Sequence, residues 1–387
     1  MLRYFTAGES HGKYCSVILE GMPAGLKIDE EFINSFLERR QGGYGRGKRM
    51  QIEKDRAEVV SGIRWGETLG SPICISIRNK DWENWQETMS VSASSRQDGT
   101  EITRARPGHA DISGVLKYGR KDVRDILERA SARETAARVA AGAVAIRFLE
   151  EFGINIASYV DRVGSVTSRR DEYNVDEIKK FVKDSSVGAL EKEKDRQMAA
   201  EIDRASSEGD TVGASFTVVA GGVPPGVGSH VQWDRKLDAR LAMAIMSIQA
   251  VKGVEFGAGF DAAASLGSLL HDEIGYDKDL KRFTRTKNAA GGIEGGMSNG
   301  EPIVIRAAMK PISSLQRPLN TVDVITKHPV KAEIVRSDVC AVTAAGVVGE
   351  AVAAIEIASL LLEKTGGDSI SEIKRNLDGY IKQIEEF

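Results

Sequence analysis

At 387 residues the chain is long enough for two or three domains, and its 41% apolar residues suffice for a large core. A formal charge of −3 with 28% charged residues excludes a whole-surface polyanion binder and an acidic disordered chain. The three cysteines, Cys15, Cys74 and Cys340, are odd in number, widely spaced and form no Cys-x-x-Cys pair. Neither a disulfide framework nor a zinc site is implied, and a reducing cytoplasm is the expected setting.

The opening MLRYFTAGES lacks the apolar run of a signal peptide. Residues 14–19 then read as a strand ended by a Gly-x-Pro-x-Gly turn, followed by a helix over 29–40 with Asp29 as N-cap and Phe32, Ile33, Phe36 and Leu37 on one face. Strands are expected over 56–64 and 71–78, the second alternating Ile73, Ile75 and Ile77 with smaller or polar residues. The polar stretch 79–104 reads as a long excursion anchored by Trp82 and Trp85, and 122–152 as one long Ala-rich helix closed by Gly153. Residues 166–208 are charged and partly helical, 215–219 form another strand, and 288–301 and 311–323 are loops. The most apolar segment, 339–362, carries Glu350 and Glu356 and reads as a buried helix instead of a membrane span.

The chain is also written twice. Gly8, Gly12, Val17, Gly21, Pro23 and Gly25 fall without a gap on Gly209, Gly213, Val218, Gly222, Pro224 and Gly226. The segment 61–77 falls likewise on 291–307, and 135–140 on 343–348. A repeat this long is no solenoid unit, since those run roughly 20–50 residues. Two related halves, about 1–200 and about 201–387, are expected to share one core in a single domain spanning 1–387, with no linker between them. Strands come as turn-linked pairs, so the fold class is α+β: an internally duplicated sandwich, two pseudo-symmetric halves with antiparallel sheets over a helical layer.

Five histidines exist, and two sit in polar, Gly-flanked loops: His11 in Ser10-His11-Gly12 and His109 in Arg106-Pro107-Gly108-His109-Ala110-Asp111. Taken alone, a loop histidine is most often a solvated turn residue. His11, however, has Val212 as its counterpart in the second copy, so the repeat is broken at a titratable group. The run 39–49 sets Arg39, Arg40, Arg46, Lys48 and Arg49 among glycines, a pattern suited to anions through forked guanidinium bonds and close backbone approach. A solvated basic loop and an Arg-Gly nucleic-acid tract with Tyr44 for stacking are the rival readings. Arg129, Arg133 and Arg336 precede the two Thr-Ala-Ala helices; Asp338 is either the cap of the helix it precedes or a chemical group, and Lys310 to Ser314 form a weak phosphate seat. No Walker lysine, no Gly-x-Gly-x-x-Gly between strand and helix and no metal-ligand spacing is present, so the metal expectation is none.

The segments Gly-Glu-Ser-His-Gly at 8–12, Glu-Arg-Ala-Ser-Ala-Arg-Glu-Thr at 128–135 and Arg-Ser-Asp-Val-Cys-Ala-Val at 336–342, with Arg-Pro-Gly-His-Ala-Asp and Gly-Gly-Met-Ser-Asn-Gly-Glu-Pro between them, resemble the chorismate synthase family over essentially the whole length. That resemblance implies a lyase at the end of the shikimate pathway, converting 5-enolpyruvylshikimate 3-phosphate to chorismate and phosphate by anti-1,4-elimination, with reduced FMN required and no net redox change. It implies a β-α-β sandwich assembled as a homotetramer in the cytoplasm, with no nucleic-acid or membrane partner. His11 becomes the general acid at the departing phosphate, His109 a proton donor beside the flavin, and Asp338 a relay near flavin N5. FMN contacts carry to Arg129, Ala130, Ser131, Gln249, Ala250, Gly295, Lys310, Pro311, Ile312, Ser313, Ser314 and Arg336. Ser10, Arg40, Arg46, Arg49, Arg106 and Arg133 become the substrate's anion seats, with Arg40 and Arg46 alternatively assigned to NADPH as reductant. A mobile 42–47 loop would close over the ligand, and an external flavin reductase is the favoured electron source. Two alternatives stay open: an FMN-dependent oxidoreductase acting on a phosphorylated substrate, and a nucleic-acid-binding protein using the 39–49 loop.

Overall fold

The computed structural model describes residues 2–47, 54–97, 99–169, 174–279, 281–335 and 337–387. Two antiparallel sheets enclose a helical layer. The first sheet has the order β1 (Arg3–Ala7), β2 (Tyr14–Glu20), β4 (Ile73–Arg78), β3 (Ala57–Ser61). The second runs β8 (Val251–Phe256), β9 (Ile303–Met309), β7 (Ala214–Gly221), β5 (Asn155–Val163), β6 (Val166–Thr167). Alternation decides which face of the first sheet turns inward: Val17 pairs with Ile75, and Leu19 with Ile73, all four buried. Its other face carries the row Phe5, Ile18 and Cys74, with Phe5 71% exposed. Strand β7 is buried on both faces, because α5 (Val175–Val182) and Leu190 cover the outside of the second sheet, packing against Ala157, Tyr159 and Val219.

The middle layer consists of α1 (Glu30–Gln41), α4 (Thr135–Glu150), α7 (Leu237–Met246) and α8 (Val342–Thr365). Helix α1 starts where its sequence predicts: Asp29 accepts from the Phe32 amide at 2.9 Å. Helices α4 and α8 cross closely because Gly142 faces Ala351; a Cβ at 142 would lie 2.3 Å from the Ala351 Cβ. Helix α8 is long and apolar enough to cross a membrane, but 94% of that window is buried as the core of the sandwich. Glu350 within it is fully buried, held by both Arg39 terminal nitrogens at 2.8 and 2.9 Å and by Ser158 at 2.7 Å.

The long helix expected over 122–152 is divided. Helix α3 (Arg124–Ala130) ends at Ser131, which adopts extended backbone (φ −64, ψ 143), and one 3-10 turn precedes α4. Helix α2 (Asp111–Tyr118) packs on α3, with Gly114 against Ile126. Helix α6 (Lys192–Ser207) lies beyond the second sheet, and α9 (Ile370–Glu385) closes the chain against α8. The loop expected at 288–301 instead contains a two-rung hairpin, Ile293–Glu294 with Met297–Ser298.

Candidate active site

The break at Ser131 makes the site. A continuous helix would carry residues 128–133 around its surface; the extended residue turns the Ser131 hydroxyl to Ser10 Oγ at 3.2 Å and lets it accept from the Arg133 amide. Arg129 then crosslinks the strand end, donating to the carbonyls of Gly8 and Thr6 at 3.0 and 2.9 Å. Ser10 N is held by the Glu128 carbonyl at 3.0 Å. His11 follows, its Nδ1 lying 2.9 and 3.0 Å from the two Glu128 carboxylate oxygens and its backbone amide donating to the same carboxylate at 2.9 Å. Burial would raise the Glu128 pKa, but the His11 hydrogen bond and charge outweigh it, so Glu128 stays below the usual glutamate range.

His109 is built on the same plan with a different supporter. Its Nδ1 meets Asp111 Oδ1 at 2.5 Å, and Asp111 also takes Arg106 through the backbone amide, Nε and Nη2 at 2.9, 3.0 and 3.1 Å. Although burial pushes Asp111 upward, the bonds from His109 and Arg106 leave it strongly depressed. Arg106 reaches Ser314 Oγ at 3.2 Å, and Lys310 and Ser313 both bind the Gly108 carbonyl, so the 106–111 and 310–314 loops form one wall. Burial, with Lys252 nearby, lowers the Lys310 pKa. Gln249 and Ala250 join this wall to the Ser131 side: Gln249 Nε2 binds Glu134, and the Ala250 carbonyl accepts from Lys310 N. Ala250 has φ +68, a left-handed conformation that costs an L-residue about 1–2 kcal/mol.

Asp338 does not cap α8. That helix begins at Val342 with Ala341 before it and no side-chain cap, while the Asp338 carboxylate takes Gly47 N at 2.7 Å and Arg46 Nη1 at 2.8 Å. Residues 42–47 are docked, contrary to the expectation of a mobile loop: Tyr44 binds Asp203 and the Ser186 carbonyl, and Gly45 O accepts from Val339 N. A Cβ at Gly45, where φ is +80, would meet Ile202 at 2.8 Å, so glycine is what allows this close seat.

Arg40 is turned inward. Buried to 4% exposure, it spends its donors on Thr135 Oγ1, Asp55 and the Ala132 carbonyl, and burial pulls its pKa down to about 10. Arg133 holds both Asp55 oxygens at 2.5 and 2.6 Å. Gly295 is not brought to the cleft in this chain. It tips the 293–298 hairpin, which is bound to the Gly226 turn at the Ile303–Ala220 end of the second sheet, whereas Lys310 follows the Met309–Ala214 end, six rungs or roughly 20 Å away. Arg49 and Arg336 lie outside the described residues.

Four side chains that the sequence leaves without a part in the site are central to it: Glu128, Asp111, Asp55 and Trp85, whose indole lies on the His11 ring at 3.9 Å between centroids. Glu128 and Asp111 both stand inside segments already singled out: Asp111 is two residues from His109, a usable signal, whereas Glu128 is 117 residues from His11 and only its motif marks it. Asp55 carries none. The arrangement offers several buried or half-buried cations, two carboxylate-backed imidazoles and one further carboxylate around one polar cleft, a set suited to holding an anionic ligand and moving protons. Among the described residues no group of three or more metal-ligating side chains converges. A groove of about 350 Å3 beside Trp65 and Arg147 lies elsewhere and gathers no such set.

A sequence model of the family described as chorismate synthase matches residues 2–362. The chain is 56% identical over 393 residues to a chorismate synthase of Geobacter sulfurreducens, covering 100% of both chains. It is 52% identical over 394 residues to one of Aquifex aeolicus, covering 100% of this chain and 99% of the relative. A crystal structure of chorismate synthase superposes with a TM-score of 0.81 at 44% identity, over 100% of this chain and 99% of that one. Since these matches run through every loop that supplies the cleft, the chain belongs to the chorismate synthase family and is an enzyme of that kind.

Proposed function

We propose that this enzyme converts 5-enolpyruvylshikimate 3-phosphate to chorismate and phosphate by anti-1,4-elimination, with reduced FMN bound in the cleft. The observation that carries the reading is charge placement. In a chain of net charge −3, Arg106 and Lys310 stand in the His109 wall, Arg129 and Arg133 flank the Ser131 break next to Glu128, the partner of His11, and Arg46 pairs with Asp338. The substrate has two carboxylates and a phosphate, and these cations would hold them while His11 gives a proton to the leaving phosphate oxygen. The C3–O and C6–H bonds break, a second ring double bond forms, and phosphate departs.

The residues fit a flavin. Gln249 Oε1 is buried without a hydrogen-bond partner among the described residues, an acceptor that an imide N–H would satisfy. Arg129, Ser131 and Lys310 supply donors beside it, and Ser313 and Ser314 supply hydroxyls. When bound, reduced FMN supplies electron density for the elimination and ends each turnover in the oxidation state in which it began. His109 would hold a proton against the reduced ring, and Asp338 would accept one near N5. An external reductase, the favoured source, or NADPH would keep the flavin reduced.

Two further features belong to this reading. The paired blocks adopt matching backbone: φ is 93 at Gly21 and 83 at Gly222, 85 at Gly62 and 76 at Gly292, and 54 at Trp65 and 61 at Gly295. These values support descent of both halves from one unit. The uncovered apolar row on the first sheet, with the exposed Phe260, Leu266 and Phe283, supports self-association as a homotetramer, which light scattering of the purified chain would measure. Anaerobic phosphate release with substoichiometric reduced FMN tests the chemistry. Many phosphates per flavin, with the flavin still reduced, are expected; one flavin oxidised per product would select the oxidoreductase alternative. Tight, salt-sensitive binding of random oligonucleotides without phosphate release would select the nucleic-acid alternative.

A further inference from the structure

The stretch after β4 has no role in the reaction as described, yet it folds back over His11. Asn79 anchors it, donating from its amide to the Lys13 carbonyl at 3.0 Å and from Nδ2 to the Gly12 carbonyl at 3.1 Å. Asp81 N binds Asn79 Oδ1 at 3.0 Å, and Asp81 Oδ2 in turn accepts from Trp85 Nε1 at 2.9 Å. This chain of bonds sets the indole against the imidazole, 3.9 Å between centroids at 33°. The Arg124 guanidinium lies 5.2 Å from the same indole and 3.3 Å from Glu128, so it braces both neighbours of His11.

Glu128 meets His11 at the Nδ1 edge of the ring. An ionised carboxylate can only accept, so the proton in a contact between Nδ1 and both oxygens belongs to Nδ1. Proton exchange with a ligand then falls to Nε2. We propose that Glu128 and Trp85 are positioning residues for His11: Glu128 fixes the Nδ1–H tautomer, and Trp85, delivered by the Asn79–Asp81 strap, covers one face of the ring and holds its plane. The proposal rests on the reading of His11 as the proton donor, but its first consequence, the tautomer, does not depend on turnover.

The test uses the full chain, 15N-labelled at its five histidines, with the His11 signals assigned by their loss in His11→Ala. Wild type should show neutral His11 as the Nδ1–H form, and Glu128→Ala should shift it to the Nε2–H form; Glu128→Gln, whose amide oxygen still accepts, should recover part of the wild-type signal. With substrate and reduced FMN, Glu128→Ala and Trp85→Ala should each lower kcat about 10- to 100-fold with little change in KM, and Trp85→Phe should restore most of the loss. Because both act through His11, the double variant His11→Ala/Glu128→Ala should be no slower than His11→Ala alone. An unchanged tautomer in Glu128→Ala, or single losses that multiply in the double variant, overturns the proposal. Normal turnover in His11→Ala would remove the reading of His11 as the acid, while the tautomer still decides the clamp. If Glu128→Ala does not fold, the Trp85→Ala and Trp85→Phe pair carries the test, and equal activity in the two overturns the role of Trp85.

Discussion

The two histidine pockets use the same device at different loads. His11 leans on Glu128, 2% exposed, and has an aromatic cover in Trp85; His109 leans on Asp111, fully buried, and shares it with Arg106. Glu128 serves mainly one imidazole, with Arg124 at its edge, whereas Asp111 ties together an imidazole, a guanidinium and, through Arg106, the Ser314 loop. The difference teaches that a carboxylate behind a histidine is local when it has one principal client and structural when it has several. Damage at Asp111 should therefore spread, and damage at Glu128 should stay with one function.

The largest effect is expected from Asp111→Ala. It leaves a buried Arg106 without its partner, so destabilisation of about 3–5 kcal/mol and loss of FMN binding should appear together. Chemical denaturation and flavin titration check this, and a folded, FMN-binding variant that is merely slow would erase the contrast with Glu128. Next comes Asp338→Asn, on the same wall through the bond from Ser337 Oγ to the Ser314 carbonyl. Asn keeps an oxygen for the Gly47 amide but gives up the ion pair with Arg46, so a loss of about 1.5–3 kcal/mol is expected, while loss of a proton acceptor should slow phosphate release about 10²–10⁴-fold at saturating reduced FMN.

Acid sharpens the comparison further. Glu128 and Asp111 both have pKa values below their ordinary 4.5 and 3.8 because of their partners. Each therefore stabilises the fold above the unfolded value, and the contribution is lost as the pH falls through the lowered folded value. Below about 4.5 the stability gap between wild type and Glu128→Gln should close, and the gap to Asp111→Asn should begin to close only at lower pH; melting curves across that range measure both. The smallest effect is expected at Arg124→Ala, which removes a partly exposed partner of Glu128 and should cost only about 0.2–1 kcal/mol and a few-fold in rate. A loss as large as that of Glu128→Ala would show that Arg124, and not the carboxylate, orders the pocket.

Much of this was legible in the chain. Asp29 predicted the start of α1, and Ile73, Ile75 and Ile77 the inward face of β4; in the site segments Ser10 lies against Ser131, and Arg106 against His109. What escaped depends on contacts distant in sequence. Residues 122–152 include many good helix formers; Ser131 caps the next turn through the Arg133 amide, a local signal, but that the same break brings its hydroxyl to Ser10, 121 residues away, is not contained in local propensity. Arg40 in a basic run reads as an anion seat for substrate or NADPH, yet it sits on the buried face of the last turn of α1 with its donors on Thr135, Asp55 and the Ala132 carbonyl. Glycines at 42–47 read as flexibility, and here they permit tight docking on Thr343 and Ile202.

The account turns on the claim that the two pockets serve different ends of one reaction. The most direct measurement is the anaerobic absorption spectrum of bound reduced FMN, taken with phosphate release, for His11→Ala and His109→Ala side by side. His11→Ala should bind reduced flavin with a wild-type spectrum and release phosphate slowly, whereas His109→Ala should alter the spectrum of the bound reduced flavin. Identical spectra and identical rate losses in the two variants would contradict the division.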